Sequence, residues 1–76
     1  MLDSPAKLLN IKVNGASMGV PPGTTVTWLL EYLKIEPVLV AVEQNLEIVP
    51  KIQFSARTLS EGDRLEIVHL DRKSVV

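Results

Sequence analysis

The sequence predicts an α+β domain with one main helix and four to five strands. Near both ends of the chain, apolar residues alternate with polar ones, which is the two-residue period of strands with one buried face. Between these stretches, apolar residues recur at the three- and four-residue spacing of an amphipathic helix. With 76 residues, the chain has room for one such domain.

The chain begins with a predicted β-hairpin. Asn14-Gly15 separates two alternating stretches, and both residues tolerate a positive φ, so this pair predicts a tight two-residue turn. The second strand is expected over residues 16–20. The inward-facing positions of the two strands are expected to be Leu9, Ile11, Val13, Met18 and Val20.

A helix is predicted after the break at Pro21-Pro22-Gly23. Thr24 or Thr25 can cap its first turn through a hydroxyl oxygen. Lys34 suits the negative end of the helix dipole, and Pro37 prevents any continuation. One apolar stripe comprises Val26, Leu29, Leu30 and Leu33.

The second half of the chain predicts three more strands. Residues 38–42 are β-branched and apolar, as in a central strand, and Ile48-Val49 forms a short partner strand before Pro50. Residues 52–59 read as a loop with a helical turn. After a turn at residues 61–63, Leu65 and Ile67 alternate with Glu66 and Val68 in the last strand.

Composition excludes several classes of function. The chain has no cysteine, so it has no disulfide, thiol catalysis or cysteine-bound metal. A net charge of −1 gives no electrostatic case for binding nucleic acid. No apolar run approaches the roughly 18 residues that would span a membrane, and the first residues do not read as a secretion signal. We therefore expect a cytoplasmic protein.

Reactive side chains are sparse, and we expect no catalytic, cofactor-binding or metal-binding site. The only histidine, His69, shares the strand parity of Leu65 and Ile67, and a structural role is expected for it. The acidic residues form no helical pairing with it, and the glycines form no phosphate-binding loop. Trp28 and Tyr32 lie four residues apart, off the main stripe, and predict a second packing face or, alternatively, a binding site.

Two segments of the second half carry a further signal. They are Val-Ala-Val-Glu-Gln-Asn-Leu-Glu-Ile-Val-Pro-Lys at residues 40–51 and Ser-Glu-Gly-Asp-Arg-Leu-Glu-Ile-Val-His-Leu at residues 60–70. Together they resemble the ThiS-like sulfur-carrier family, which is ubiquitin-like. The resemblance covers residues 9–70 and implies a β-grasp fold, in which one main helix packs across a mixed sheet of four to five strands. Leu46 is a departure, because such carriers often have Gly after Asn in this turn. Asn45 can itself adopt the left-handed conformation there, so we expect the departure to be small.

The resemblance implies a carrier of thiamine (thiazole) biosynthesis rather than an enzyme. In the family, an adenylating enzyme of the ubiquitin-activating type uses ATP to adenylate the carboxylate of a terminal Gly-Gly. Sulfur then replaces AMP, and the resulting thiocarboxylate delivers sulfur to thiazole synthase. This chain instead reads Lys73, Ser74, Val75 and Val76 at its end. Two β-branched residues are bulky and stiff, so this tail is expected not to accept AMP or sulfur.

The expected organisation is a flexible lead over residues 1–6, a β-grasp domain over 7–70 and a tail over 71–76. If Leu65 and Ile67 face the helix, Val68 and Leu70 face away from it, and Leu39 and Ala41 face away in the third strand. These four residues would form an apolar partner-binding cluster, which the family uses to dock on its adenylating enzyme. Dispersed surface residues are the alternative. The alternative function is a β-grasp interaction or regulatory module that no longer carries sulfur.

Overall fold

The computed structural model describes residues 7–70, so the predictions for the lead, residues 1–6, and the tail, residues 71–76, lie outside the described residues. The main elements are β1 (Leu9–Val13), β2 (Ala16–Val20), α1 (Val26–Tyr32), β3 (Val40–Gln44), β4 (Glu47–Ile48) and β5 (Arg64–His69). One 3₁₀ turn precedes β3, at Pro37–Leu39, and another follows β4, at Lys51–Gln53.

The five strands form one mixed sheet in the order β2-β1-β5-β3-β4. Neighbouring strands are antiparallel except for the central pair β1 and β5, which is parallel. The two halves of the chain thus meet through β5, the last strand, which lies between β1 and β3. This arrangement confirms the predicted α+β class with a mixed sheet and one main helix.

One hydrophobic core lies between α1 and the inner face of the sheet. The helical stripe is confirmed, because Val26, Leu29 and Leu30 are buried and Leu33 packs against the core with partial exposure. The loop that follows β4 adds three buried side chains, Val49, Phe54 and Leu59. The buried strand residues are Ile11, Val20, Val40, Val42, Leu65 and Ile67, with Leu9, Val13 and Met18 partly buried against them.

The helix begins as predicted and ends earlier than predicted. The Thr25 hydroxyl oxygen accepts a hydrogen bond from the Trp28 N–H (3.1 Å), which satisfies one free donor of the first turn. At the other end, Ile35 N–H donates to Leu30 O (2.9 Å) while Lys34 has a φ of 63°. This Schellman-type ending stops the helix at Tyr32, well before the proline that we expected to end it.

The third strand begins two residues later than predicted. Pro37 starts a 3₁₀ turn that includes Val38 and Leu39, and the strand covers Val40–Gln44 instead of residues 38–42. The sequence pattern does not separate the turn from the strand, because Val38 and Leu39 of the turn are apolar like the strand residues that follow them. The short partner strand is likewise Glu47–Ile48 rather than residues 48–49.

The turn between β3 and β4 confirms the expectation for Asn45 and shows the same conformation at Leu46. Both Asn45 and Leu46 adopt left-handed backbone conformations, with φ values of 54° and 71°. A two-residue hairpin turn of this kind needs a positive φ at both central positions, so Asn45 alone cannot satisfy it. Leu46 therefore occupies a position that favours glycine, and its side chain is 88% exposed.

Candidate partner-binding face

Of the four predicted partner-binding residues, Ala41 and Val68 lie on the sheet face opposite α1, which we call the outer face, and Leu39 and Leu70 adjoin them at the ends of their strands. Ala41 pairs directly with Val68 in the β3–β5 register, and Leu70 N–H donates to Leu39 O (2.8 Å) just beyond it. Leu39, Val68 and Leu70 are 46%, 50% and 41% exposed, and Ala41 is half-buried. We call Leu39, Ala41, Val68 and Leu70 the docking patch.

Strand parity explains why these apolar side chains face outward. Val42 pairs with Ile67, and both are buried beneath the helix, so the alternating positions on β3 and β5 point to the outer face. His69 has the inward parity that the sequence predicted and pairs with Val40, but it is exposed at the end of β5. Among residues 7–70, no group of three or more histidine, aspartate or glutamate side chains is arranged to hold a metal ion.

The outer face also carries charges that the sequence analysis did not assign to a site. Glu43 of β3 lies directly opposite Glu66 of β5, next to the Ala41–Val68 pair. Lys12 of β1 lies directly opposite Arg64 of β5. The alternation of each strand could have placed these side chains on the outer face, but the pairing depends on strand register, which the sequence does not specify.

A buried carboxylate stabilises the loops at one end of the sheet. Asp63 is only 7% exposed, and its Oδ2 accepts hydrogen bonds from Gln44 Nε2 (2.7 Å) and Ser60 N–H (2.8 Å). Its Oδ1 accepts a third from Asn45 Nδ2 (2.9 Å). Burial by itself raises the pKa of Asp63, but the hydrogen bonds from Asn45, Ser60 and Gln44 outweigh it and lower the pKa below 3.8.

This polar cluster links two turns that are distant in sequence. Asn45 in the β3–β4 turn donates to Asp63 and also accepts a hydrogen bond from Arg64 N–H (3.0 Å). The sequence indicates Asp63 only as a turn residue. The short Ser60-to-Asp63 spacing could have indicated a local side-chain-to-backbone bond, but it gives no sign of Gln44 or Asn45.

Trp28 and Tyr32 do not form the second packing face that was the favoured expectation. Their rings stack on each other with centroids 5.2 Å apart and an interplanar angle of 9°. Both side chains remain exposed to solvent on α1, because the opposite stripe of the helix supplies its core contacts. The two rings therefore pack on each other on the exposed side of α1 and add nothing to the hydrophobic core.

No helix within residues 7–70 is long and apolar enough to cross a membrane. The longest helix, α1, has only 7 residues.

Comparison with protein families matches the ThiS family over residues 11–70. Among solved structures, the chain is similar to the thiamine biosynthesis protein ThiS from Geobacter metallireducens. The TM-score is 0.75 and the identity 33%, over 84% of this chain and 97% of that one. The residues that match the family include the helix and all five strands, apart from the first two residues of β1.

Two curated relatives carry the name thiazole synthase. The protein from Paramagnetospirillum magneticum is 40% identical over 60 residues, which are 79% of this chain and 18% of that protein. The protein from Magnetococcus marinus is 38% identical over 61 residues, which are 80% of this chain and 19% of that protein. The chain therefore spans less than a fifth of the length of the curated relatives it matches.

Proposed function

This chain belongs to the ThiS family, and from that premise we propose that it acts as a sulfur carrier of thiamine biosynthesis. The observation that carries the proposal is the joint match of sequence and fold over nearly the whole described part of the chain. The proposed role is that of a carrier that other proteins act on, rather than an enzyme. Its surface must then supply recognition, while a partner supplies the chemistry.

The docking patch is the surface that we assign to the adenylating partner. The patch contains three exposed apolar residues, Leu39, Val68 and Leu70, from two parts of the chain. Binding of a partner would remove their apolar surface from water, which is energetically favourable. Leu70 is also the last described residue before the tail. A partner seated on this patch therefore lies close to the start of the segment on which the carrier reaction depends.

The proposed partners are an adenylating enzyme of the ubiquitin-activating type and a thiazole synthase. The second partner is supported by the names of the two relatives, each of which contains a stretch similar to this chain within a much longer protein. The adenylation step consumes ATP, which agrees with the cytoplasmic location that we expect. The proposal includes no metal, cofactor, nucleic acid or membrane.

Intact-mass spectrometry can test the carrier reaction directly. The 76-residue polypeptide and a length-matched variant, Val75→Gly with Val76→Gly, are incubated with ATP, the adenylating enzyme of the source organism and a sulfur donor. We expect the Gly-Gly variant to gain sulfur in place of oxygen. The Val-Val polypeptide is expected to remain unchanged, because β-branched side chains restrict the approach of its carboxylate.

Each outcome of this experiment has a definite meaning. Equal reaction of both polypeptides would show that the steric argument about the tail is wrong while supporting the carrier function. No reaction of either one would contradict the carrier function. A third polypeptide, the Gly-Gly variant with Val68→Asp, is expected to react slowly, because it places a charge in the docking patch. Equal reaction of this third polypeptide would exclude the patch from the interaction.

The length of the relatives supports a second candidate function. In both thiazole synthases, the similar stretch occupies less than a fifth of the protein. A domain of this kind that is covalently attached to its partner could act as an interaction or regulatory module without being charged with sulfur. Binding of the Val-Val polypeptide to the remaining part of such a synthase, together with failure of the Gly-Gly variant to gain sulfur, would favour this function over the carrier.

A further inference from the structure

Two like-charged pairs lie side by side on the outer face of the sheet. Glu43 and Glu66 are direct cross-strand partners on β3 and β5, and Lys12 and Arg64 are direct partners on β1 and β5. Residues directly opposite on neighbouring strands have Cβ atoms only about 4.5–5.5 Å apart, and like charges at such positions destabilise a sheet. Both pairs therefore oppose the stability of the free domain.

The described chain supplies no hydrogen bond to the carboxylate pair, and the nearest cations on the same face, Lys12 and Arg64, lie in the adjacent band. Neither Glu43 nor Glu66 accepts a side-chain hydrogen bond from any residue between positions 7 and 70, whereas the neighbouring Asp63 accepts three. Helix α1 covers the inner face of the sheet and so cannot supply a cation to the outer face. An arrangement with one Glu and one Lys in each pair would use the same residue types and stabilise the sheet.

The charges and the docking patch follow one another in a fixed order along β5. Arg64, Glu66 and Val68 occupy alternate positions and point to the same face, about 7 Å apart from one to the next. Each of them lies opposite a residue of the same chemical type on a neighbouring strand. The basic residue opposite Arg64 is Lys12, the acidic residue opposite Glu66 is Glu43, and the apolar residue opposite Val68 is Ala41. The outer face therefore consists of a basic, an acidic and an apolar band, and the apolar band is nearest the tail.

We propose that these bands are a recognition element that selects and orients a partner protein of complementary charge. The partner covers the docking patch with apolar side chains and places an arginine or lysine between the carboxylates of Glu43 and Glu66. An acidic group of the partner faces Lys12 and Arg64. This inference rests on the docking face proposed above, and it adds the chemistry of the occupant and its orientation.

This arrangement of charges favours one orientation of the partner over the reverse one. A guanidinium group between two carboxylates makes charge-assisted hydrogen bonds to both, and the repulsion present in the free domain disappears in the complex. A partner docked in the reverse direction would place its cation over Lys12 and Arg64, which is unfavourable. The order of the charges thus places the apolar surface of the partner at the end of β5 from which the tail continues. The active site of the partner would then lie beyond that end.

The first test needs no partner. Glu66→Gln removes one charge of the acidic pair and Glu66→Lys places a cation opposite Glu43, so both variants are expected to raise the thermal midpoint of the free domain, the second by more. Glu31→Gln and Glu31→Lys are matched controls, because Glu31 is exposed on α1, away from the outer face. A midpoint that falls or stays unchanged in both Glu66 variants would overturn the claim that the pair repels.

The second test measures association with the adenylating enzyme of the source organism by stopped-flow or surface plasmon resonance at several salt concentrations. We expect Glu66→Lys to slow association about tenfold at low salt and to weaken its salt dependence, with Glu31→Lys close to the parent. Gain of stability together with loss of binding is a result that a purely structural role for Glu66 would not produce.

The Val68→Asp variant separates failure of this inference from failure of the docking face. If Val68→Asp abolishes binding while Glu66→Lys binds like the parent, the docking face is correct and the charge recognition is wrong. If neither variant changes binding, the proposed docking face itself is wrong and this inference fails with it. Absence of binding by the parent chain would overturn the choice of partner in both proposals.

Discussion

The side chain of Asn14 forms two hydrogen bonds with the backbone of Ile67. Its Oδ1 accepts from Ile67 N–H (2.7 Å), and its Nδ2 donates to Ile67 O (3.2 Å). The backbone of β1 turns away at this point, because Asn14 has a φ of 51° in the β1–β2 turn. The Asn14 amide therefore takes the place of a peptide group and extends the parallel β1–β5 ladder by one more step.

Replacing Asn14 should destabilise the domain through β5 rather than through the turn alone. Asn14→Gly keeps a residue that accepts the positive φ but leaves both Ile67 backbone groups without this partner, at a cost of about 1–3 kcal/mol. Asn14→Ala adds the strain of a left-handed alanine and should be less stable still. Chemical denaturation measures the loss, and amide hydrogen exchange should show faster exchange at Ile67.

Asn14→Asp is the informative control for that prediction. Its carboxylate can still accept from Ile67 N–H but cannot donate to Ile67 O, so protection of the Ile67 amide should largely persist. Unchanged exchange at Ile67 in Asn14→Gly would contradict a role for this side chain in the ladder.

Truncation of Leu30 should produce a large loss of stability. Leu30 is fully buried in the stripe of α1 that packs on the sheet, and removing such a side chain costs about 2–5 kcal/mol. This is a large part of the roughly 5–15 kcal/mol that stabilises a typical domain. We expect Leu30→Ala to lower the urea midpoint sharply, while Ile52→Ala, a truncation at a largely exposed position, should leave it nearly unchanged.

Replacing Leu46 with glycine should stabilise the free domain. Leu46 has a φ of 71° in a turn that favours glycine at this position, and its side chain is largely exposed. Leu46→Gly should therefore raise the free energy of unfolding by roughly 1 kcal/mol through relief of left-handed strain. Leu46→Ala removes the same side chain but retains Cβ, so no comparable gain is expected. A gain for alanine equal to that for glycine would show that side-chain exposure, not backbone strain, is the cause.

Asp63 should contribute to stability at neutral pH and lose that contribution in acid. Its pKa is lowered below 3.8 in the folded protein by hydrogen bonds from Asn45, Ser60 and Gln44 that outweigh the effect of burial. Because the folded pKa lies below the unfolded one, the stabilisation is present above the unfolded pKa. It decreases as pH falls through the folded pKa.

Unfolding free energies measured between pH 7 and pH 2 can test this linkage. Asp63→Asn should be less stable than the parent at pH 7, and the difference should shrink as pH falls below 3.8. Glu47→Gln is a suitable control, because Glu47 is exposed in the adjacent short strand. A constant difference between Asp63→Asn and the parent across the whole pH range would contradict the assignment.

The sequence by itself determined the order of the elements and which face of the helix and of the long strands enters the core. Alternation assigned Ile11, Leu65 and Ile67 to the inner face, and the helical spacing assigned Leu29 and Leu30, and all five are buried. These predictions succeed because side-chain period is a local property of the backbone. Two residues per repeat in a strand and 3.6 in a helix decide which side chains can share a face, whatever lies beyond.

Only the tertiary structure decided which distant residues meet. The Glu43–Glu66 pair and the Asn14–Ile67 hydrogen bonds depend on strand register between segments that are far apart in the chain. Register is set by how the whole core packs, and a one-residue shift would move every side chain of a strand to the other face. The left-handed Leu46 also follows from register, because pairing of Gln44 with Glu47 leaves only Asn45 and Leu46 to form the turn.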